Sequence, residues 1–307
     1  MAAFEINSFE EYLDIIKNEI RVPRPYYRGQ SRTASDGYIL RPSIGRYVHL
    51  NDKSSTELDN LEKSVLETFS NHVIAHVNHI PRNDWEMLAL AQHHGLPTRF
   101  MDWTTNPLVA LYFAARKTKI NNEGNSADSA VYVLTRRTIR YNELKRNSPD
   151  DEPRVEDKIL ELSHTEQEDP YTSFGIEPEK VEEPLDQLEL PDHSFPEPRR
   201  LDDIPATSDD QPVDFNSPFQ IAFNVIYDPP HVSPRIRAQD GVLLACHRPL
   251  IPMDETEYLE ILVHHKAHDE IRRRLDQYGV FDKQLFPDLD GMAKWLKYRV
   301  FEIDGVV

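Results

Sequence analysis

The most constraining feature of this sequence is a nearly unbroken apolar run, NPLVALYFAA, at residues 106–115. Asn is a strong helix N-cap and Pro suits the first helical position, so Asn106 and Pro107 predict the start of a helix. Because such a helix is apolar on every side, we expect it to be buried. The rest of the fold must therefore cover this helix on more than one side.

The segments around this helix predict a mixture of helices and strands. Apolar residues at helical spacing predict helices at 7–20, 58–77, 84–95 and 267–279, and a further helix within LFPDLDGMAKWLKYR near the C-terminus. Asn83 or Asp84 is the expected N-cap of the third of these. Strand patterns cover RPYYRGQS, ending at Gly29, and the segments 129–135, 219–230 and 241–249. The combination favours the α+β class.

A long acidic segment interrupts this pattern. Residues 147–216 are crowded with Pro, Asp and Glu and hold too few apolar residues for a core of their own. We therefore predict one domain over 1–307, with 147–216 as an insertion that is flexible or wraps the surface.

Charge and cysteine content restrict the function classes. The formal net charge of -18 excludes binding of phosphate backbones by bulk attraction, so any nucleic-acid contact needs a local basic patch. The one cysteine, Cys246, excludes an intrachain disulfide and a cysteine-rich zinc site, and no histidine spacing suggests a metal centre. The first twenty residues do not resemble a secretory signal, and no stretch is apolar enough to span a bilayer. The expected location is the cytoplasm.

The first candidate binding residue is Arg28, in the stretch YYRGQ. A guanidinium presents a planar, permanently charged fork that suits phosphate or carboxylate. The adjacent Gly29 permits a positive φ or a close approach of another backbone. The alternative is that Arg28 ties a loop to a carboxylate within the fold.

The second candidate stretch is GLPTRFMDWTTNP, at residues 95–107. Helix capping explains Asn106 and, in part, its neighbouring threonines. Asp102 could form a partly buried ion pair with Arg99 or Arg28. It could equally form the polar floor of a ligand cleft with Trp103 as an aromatic wall.

Taken in order, several stretches resemble the signature blocks of the FRG domain family: YYRGQS, LRPSIGR, LALAQHHGLPTRFMDWTTNPLVALYFAA, SAVYVLT, RIRAQDGVLL and LFPDLDGMAKWLK. That family is named after an aromatic-Arg-Gly motif, which here is Tyr27-Arg28-Gly29. The resemblance covers nearly the whole chain outside the acidic segment.

The resemblance implies a fold similar to the ADP-ribosyltransferases, a split antiparallel β-sandwich with surrounding helices and a cleft that takes NAD. Arg28 would hold the phosphate or ribose of the dinucleotide, assisted by its neighbours Tyr27, Gly29 and Gln30. The second block would lie beneath the nicotinamide end, which corresponds to Thr98, Arg99, Asp102, Trp103, Thr104 and Asn106.

The third block of that fold usually carries a Glu just before a strand, where it stabilises the developing charge on the ribose. Here RAQDGVLL has Gln239 and Asp240 at that place. Gln239 can hydrogen-bond a ribose hydroxyl but cannot act as a general base, whereas Asp240 can if it faces the cleft. The expected catalytic residues are Arg28, Asp102, Gln239 and Asp240.

The resemblance therefore predicts an NAD-dependent ADP-ribosyltransferase that releases nicotinamide, acting as an intracellular toxin or phage-defence effector. Its acceptor would be a protein or an RNA, with no membrane partner, and an antitoxin or chaperone could bind the acidic segment. The alternative is a non-catalytic module that senses nucleotides or binds a partner, regulated through that segment.

Overall fold

The structure is a computed structural model that describes residues 4–73, 76–77, 80–136, 138–146, 217–229 and 234–303. The chain divides into two units, one of residues 1–144 and 207–307 and the other of 145–206. The sheet and the site described below lie in the first unit. The acidic segment 147–216 falls outside the described residues, so its predicted character as an insertion stays a prediction.

Eight strands in the described residues form one mixed sheet, which confirms the α+β class. The strand order is β1-β8-β4-β2-β3-β7-β6-β5. The strands are β1 (Phe4–Ile6), β2 (Tyr27–Gln30), β3 (Phe100–Thr104), β4 (Ser129–Leu134), β5 (Ile139–Arg140), β6 (Val225–Tyr227), β7 (Gly241–Ala245) and β8 (Tyr258–Val263).

The expectation of purely antiparallel strands is wrong at both edges of the sheet. β1 runs parallel to β8, and β5 runs parallel to β6. Parallel neighbours need a long connection, and both of these pairs join segments that are far apart in the chain. The six inner strands pair in antiparallel fashion.

The sheet is nearly divided in its middle, between β2 and β3. These two strands share a single residue pair, Tyr27 with Thr104, whereas β2 has four pairs with β4 and β3 has five with β7. The sheet therefore consists of two four-stranded halves, β1-β8-β4-β2 and β3-β7-β6-β5, that separate beyond one point of contact.

Helices surround this sheet. The described α-helices are α1 (Phe9–Asn18), α2 (Ser55–Val73), α3 (Asp84–His93), α4 (Pro107–Ala115), α5 (Tyr141–Arg146), α6 (Pro234–Ala238), α7 (His268–Gln277), α8 (Asp282–Leu285) and α9 (Leu289–Leu296). A π-helical stretch, Lys297–Ile303, follows α9. No helix among the described residues has the length and apolarity needed to cross a membrane.

The predicted helix caps are found at the expected residues. Asn83 caps α3, and Asn106 caps α4 by accepting from the amides of Leu108 and Val109. Ser8, which the sequence did not single out, caps α1. The helix α4 is buried, as its composition predicts, and packs in one apolar cluster with Tyr27 of β2 and with β4. The strand predicted over 219–230 is confined to β6, and β1, β5 and β8 were not predicted.

Candidate functional site

A cavity of about 270 Å³ lies where the two halves of the sheet separate. We call it the split cavity. Residues of β2, β3 and β7 line it, together with the ends of α3 and α6. Seven of the residues singled out in the sequence lie on its wall: Tyr27, Arg28, Gly29, Asp102, Trp103, Thr104 and Gln239.

The three residues of the aromatic-Arg-Gly motif have different surroundings in β2. Tyr27 is buried in the apolar cluster that contains α4. A Cβ on Gly29 would lie 1.9 Å from the carbonyl oxygen of Ala110 in α4, so only glycine fits there. The close approach expected of Gly29 is therefore one between strand and helix, and it fixes the position of the strand that carries Arg28.

Arg28 lies beside the gap in the sheet, and within the described residues its guanidinium forms no direct ion pair with a carboxylate. Its Nη1 donates to the backbone carbonyl of Asp102, while its Nε is buried with no hydrogen-bond partner in the described structure. Burial lowers the pKa of Arg28, the nearby Asp102 opposes this shift, and the positive charge of Arg46 adds to it. Arg28 therefore does not tie a loop to a carboxylate, and its unbalanced charge suits an anionic ligand.

Arg99 does not belong to this site, contrary to the expectation that it contacts the ligand or pairs with Asp102. Its guanidinium is buried and donates from Nε to Glu62 at 3.0 Å, with further bonds to Asp59. It also lies 4.8 Å from the centre of the Phe219 ring. Its donors are taken up by this ion pair with α2, which makes Arg99 part of the framework rather than of the split cavity.

Asp102 is held by α3 instead of by an arginine side chain. Gln92 donates from Nε2 to the Asp102 carboxylate at 2.8 Å, and the Thr98 hydroxyl donates to the amide oxygen of Gln92. Thr98 is buried and therefore fixes Gln92 rather than lining the cavity itself. Among the residues described around the split cavity, Asp102 is the one carboxylate.

Trp103 does not present the exposed aromatic wall that was expected. Only 3% of it is exposed, and its ring packs with Met101, Val242 and Leu244 in the core. Strand alternation is the reason, because Trp103 faces the opposite side of β3 from Asp102. Its contribution to the cavity wall is correspondingly small.

Thr104 joins the end of β3 to the turn before β7. Its hydroxyl donates to the backbone carbonyl of Gln239 at 2.7 Å and accepts from the amide of Asn106. This places Gln239 at the split cavity. The side-chain nitrogen of Gln239 donates to the carbonyl of Leu285 at 3.0 Å, so its amide oxygen remains to accept from a ligand.

Asp240 and Asn106 face a different concavity. Asp240 has a φ of 45°, in the left-handed region, and its carboxylate accepts from Nδ2 of Asn106 at 3.1 Å. Both residues line a separate cavity of about 780 Å³ between α4 and α8. The positive φ at Asp240 turns its side chain away from Gln239, so the structure does not bring it to the split cavity.

Gln30 likewise lies outside the split cavity. It lines a neighbouring groove, and its side-chain nitrogen donates to the backbone carbonyl of Arg32 at 3.1 Å. The single cysteine is buried, and burial raises the pKa of Cys246 to about 12. A group of metal-ligating side chains is not found in the described part of the chain.

Two cavity residues, Gln92 and His93, were not predicted. They form the last turn of α3, which ends beside β3. Burial lowers the pKa of His93, and the neighbouring charges of His94 and Arg235 add to that shift while Asp102 opposes it. His93 is therefore a neutral imidazole, able to accept a proton, at neutral pH. The sequence signal for these two residues is their position at the end of a predicted helix, just before the polar stretch at residues 95–107.

An α+β protein with a cavity in a split sheet, lined by polar and by apolar side chains, is the class that these observations define. The profile of the FRG domain family matches residues 24–123, a range that contains both Tyr27-Arg28-Gly29 and the β3 residues of the cavity. This part of the chain is an FRG domain, as the sequence motifs indicate. No curated protein and no solved structure matches the chain.

Proposed function

We propose that this chain is an NAD-dependent ADP-ribosyltransferase, which cleaves the nicotinamide–ribose bond of NAD and transfers ADP-ribose to a protein or RNA acceptor. The observation that carries the proposal is that Arg28, Asp102 and Gln239, from three separate parts of the sequence, line one cavity. Their convergence is what the resemblance to the ADP-ribosyltransferase fold requires.

The architecture supports the proposal. The resemblance implies two small sheets with a cleft between them, and the two halves of this sheet separate at β2 and β3. Arg28 stands in that opening with a buried, unpartnered Nε. A diphosphate or a ribose oxygen supplies the acceptor that this nitrogen lacks.

Asp102 and His93 are the groups available for proton transfer. Asp102 is anchored by Gln92, and His93 is neutral at neutral pH. Either can accept the proton that the attacking group loses. Gln239 turns its free amide oxygen to a ribose hydroxyl and so contributes binding but no base.

NAD supplies a reactive C1′ carbon and nicotinamide as the leaving group. The residues of the split cavity contribute by orientation and by electrostatics, since they fix the charge of Arg28 beside the reacting part of the substrate.

The experiment is a measurement of nicotinamide release by the purified chain, with Arg28→Ala as the test and Arg248→Ala as a matched control, because Arg248 is exposed and lies outside the cavities described. We expect release by the wild type and the control, and none by Arg28→Ala. Release at background in the wild type, with no shift of its melting temperature by NAD, would refute the proposal.

A second candidate function is a nucleotide-sensing or partner-binding module without turnover. The observation in its favour is that this block contributes Gln239 to the cavity, while the carboxylate of Asp240 faces elsewhere. NAD binding measured by calorimetry, with no release of nicotinamide, selects this function over the enzyme.

The biological setting that we propose is a cytoplasmic toxin or phage-defence effector, with an antitoxin or chaperone bound to the acidic segment. Induced expression in bacterial cells tests it. Growth arrest by the wild type but not by Arg28→Ala supports a toxin, and equal growth of both contradicts it. Deletion of residues 150–212 tests whether the acidic segment binds the partner.

A further inference from the structure

A third concavity, of about 800 Å³, adjoins the split cavity and shares Arg28, Gly29 and Phe113 with it. We call it the basic groove. Eight of the twenty residues that line it are Arg or Lys, and three are acidic. The chain as a whole carries a net charge of -18, so this concentration of positive charge runs against the overall composition.

Within the described residues, Arg272 pairs with Asp269 and Lys297 pairs with Glu302, whereas the other six cations of the groove form no ion pair with a carboxylate. Arg116, Lys117 and Lys119 come from the segment after α4, and Lys294 comes from α9. None of the four forms an ion pair with a carboxylate in the described part of the chain. Like charges held together without counterions raise the free energy of the fold, and an anionic ligand removes that cost.

Aromatic side chains line the groove together with the cations. Tyr38 is 45% exposed, and Phe113 and Tyr298 are partly exposed. The guanidinium of Arg272 lies 5.5 Å from the ring of Tyr298, and its buried Nε has no partner in the described structure. Rings beside cations are the combination that binds unpaired bases together with their phosphates.

We propose that the basic groove binds single-stranded nucleic acid. The cations would contact phosphates, and the exposed rings would stack on bases that a duplex keeps hidden. A smaller anion would need only part of a groove of this length and would leave the rings without a role. The local charge supplies the basic patch that a protein of this composition needs for nucleic-acid binding.

The groove shares Arg28 and Gly29 with the split cavity, so a strand bound in it has a nucleotide next to that cavity. We infer that this nucleotide is the acceptor of ADP-ribose, an inference that rests on the proposed function. In the transfer the bond from C1′ to nicotinamide breaks and nicotinamide leaves with the electron pair. A base nitrogen or a sugar hydroxyl bonds to C1′, and its proton passes to Asp102 or His93.

The binding test uses fluorescence anisotropy with labelled single-stranded RNA and DNA of about 12 nucleotides, within the site sizes known for such proteins. The groove variant is Lys117→Gln with Lys294→Gln. The matched control is Lys17→Gln with Lys266→Gln, which changes the charge equally at exposed lysines outside the groove. Duplex DNA and a poly-glutamate peptide serve as competing polyanions.

We expect the wild type and the control to bind both single strands, and the groove variant to bind at least about tenfold more weakly. The slope of log affinity against log salt should fall by about 1.4, because two phosphate contacts are lost. No binding at low salt, equal binding by the groove variant, or equal binding of duplex and peptide would each overturn the proposal.

The two proposals fail in different ways. Groove-dependent binding of single strands without nicotinamide release would support the nucleic-acid site and refute the ADP-ribosyltransferase. Nicotinamide release without any binding of single strands would support the ADP-ribosyltransferase and refute the nucleic-acid site. Incubation of the bound strand with radiolabelled NAD tests the acceptor role, and label found only on protein contradicts it.

Discussion

Gly29 packs directly against the backbone of Ala110, closer than any other residue at position 29 would allow. A Cβ there would lie 1.9 Å from the Ala110 carbonyl oxygen and 2.7 Å from the amide nitrogen of Ala114. The glycine of the aromatic-Arg-Gly motif therefore serves contact between β2 and α4. That contact holds Arg28 at the point where the sheet divides.

Gly29→Ala should destabilise the protein severely, because the methyl group meets rigid helix backbone rather than a flexible side chain. We expect a loss of about 3 kcal/mol or more in the free energy of unfolding, measured by urea denaturation. Gly241→Ala is the control, since its Cβ would be 3.3 Å from the nearest atom, the Ile236 carbonyl oxygen. Equal midpoints for the two variants would contradict the assignment.

The substitutions Arg28→Ala and Arg99→Ala should differ in their effects on stability and on NAD binding. Arg99→Ala leaves the buried Glu62 without its partner and should cost about 3–5 kcal/mol of stability. Arg28→Ala removes one hydrogen bond to a backbone carbonyl and should cost about 1 kcal/mol. In thermal denaturation we expect NAD to stabilise the wild type, and Arg28→Ala should lose that stabilisation. If Arg28→Ala retains that stabilisation, the assignment of Arg28 to the binding site is wrong.

Gln239→Glu, which supplies the residue that the resemblance to the ADP-ribosyltransferases predicts at this place, should be destabilising rather than beneficial. The side-chain nitrogen of Gln239 donates to the carbonyl of Leu285, and a carboxylate there would face another oxygen. We expect a loss of about 1–3 kcal/mol by urea denaturation. Gln239→Leu, which loses the bond without adding charge, should lose less. Greater stability in Gln239→Glu would contradict this geometry.

Nicotinamide release should persist below the usual pKa of a histidine if His93 is the base. Because burial lowers the pKa of His93 below 6.5, the acidic limb of the rate profile should have its midpoint below pH 6.5. His93→Gln should abolish that limb. His94→Gln, at the neighbouring residue outside the split cavity, should leave it in place. An unchanged limb in His93→Gln would assign the proton transfer to another group.

Stability should fall as the pH drops, because of His268. This side chain is fully buried between Ser129 and Thr118, and burial lowers its pKa from 6.5 to about 4. Arg272 lowers it further, whereas Asp128 opposes the shift. Since the unfolded chain binds the proton more tightly, the contribution is full above pH 6.5 and is lost as the pH falls towards 4.

Between pH 7.5 and 5, the loss from His268 alone should be about 2 kcal/mol. The measurement is the free energy of unfolding of the wild type and of His268→Gln at both values of pH. The difference between the two proteins cancels the other titrating groups. The same pH dependence in both would show that His268 is not the cause.

Local signals were read correctly from the sequence. Asn106 and Pro107 start α4, Asn83 caps α3, and the apolar composition of α4 required its burial. Helix capping and the apolar composition of a helix depend on residues that are close together in the chain, so the local sequence is sufficient to predict them. The motif residues Tyr27-Arg28-Gly29 were also recognised as a unit.

The choice of partners could not be read in this way. Asp102 is bound by Gln92 of α3, and Arg99 pairs with Glu62 of α2, although Asp102 is much nearer to Arg99 in the chain. Which side of a strand a residue faces, and which helix covers that side, depend on packing across the whole sheet. The left-handed backbone conformation of Asp240, whose side chain does not line the split cavity, likewise cannot be predicted from the sequence.

The sequence by itself determined the buried helix, the α+β class and the motif that places an arginine beside a glycine. Those properties follow from apolar surface, capping and the size of a side chain, all of which belong to residues close together in the chain. The tertiary structure decided that Arg28 meets Asp102 and Gln239 at a divided sheet, and that Arg28 also lines a basic groove. Cavities and local concentrations of charge arise where distant segments pack together, so only the folded chain contains them.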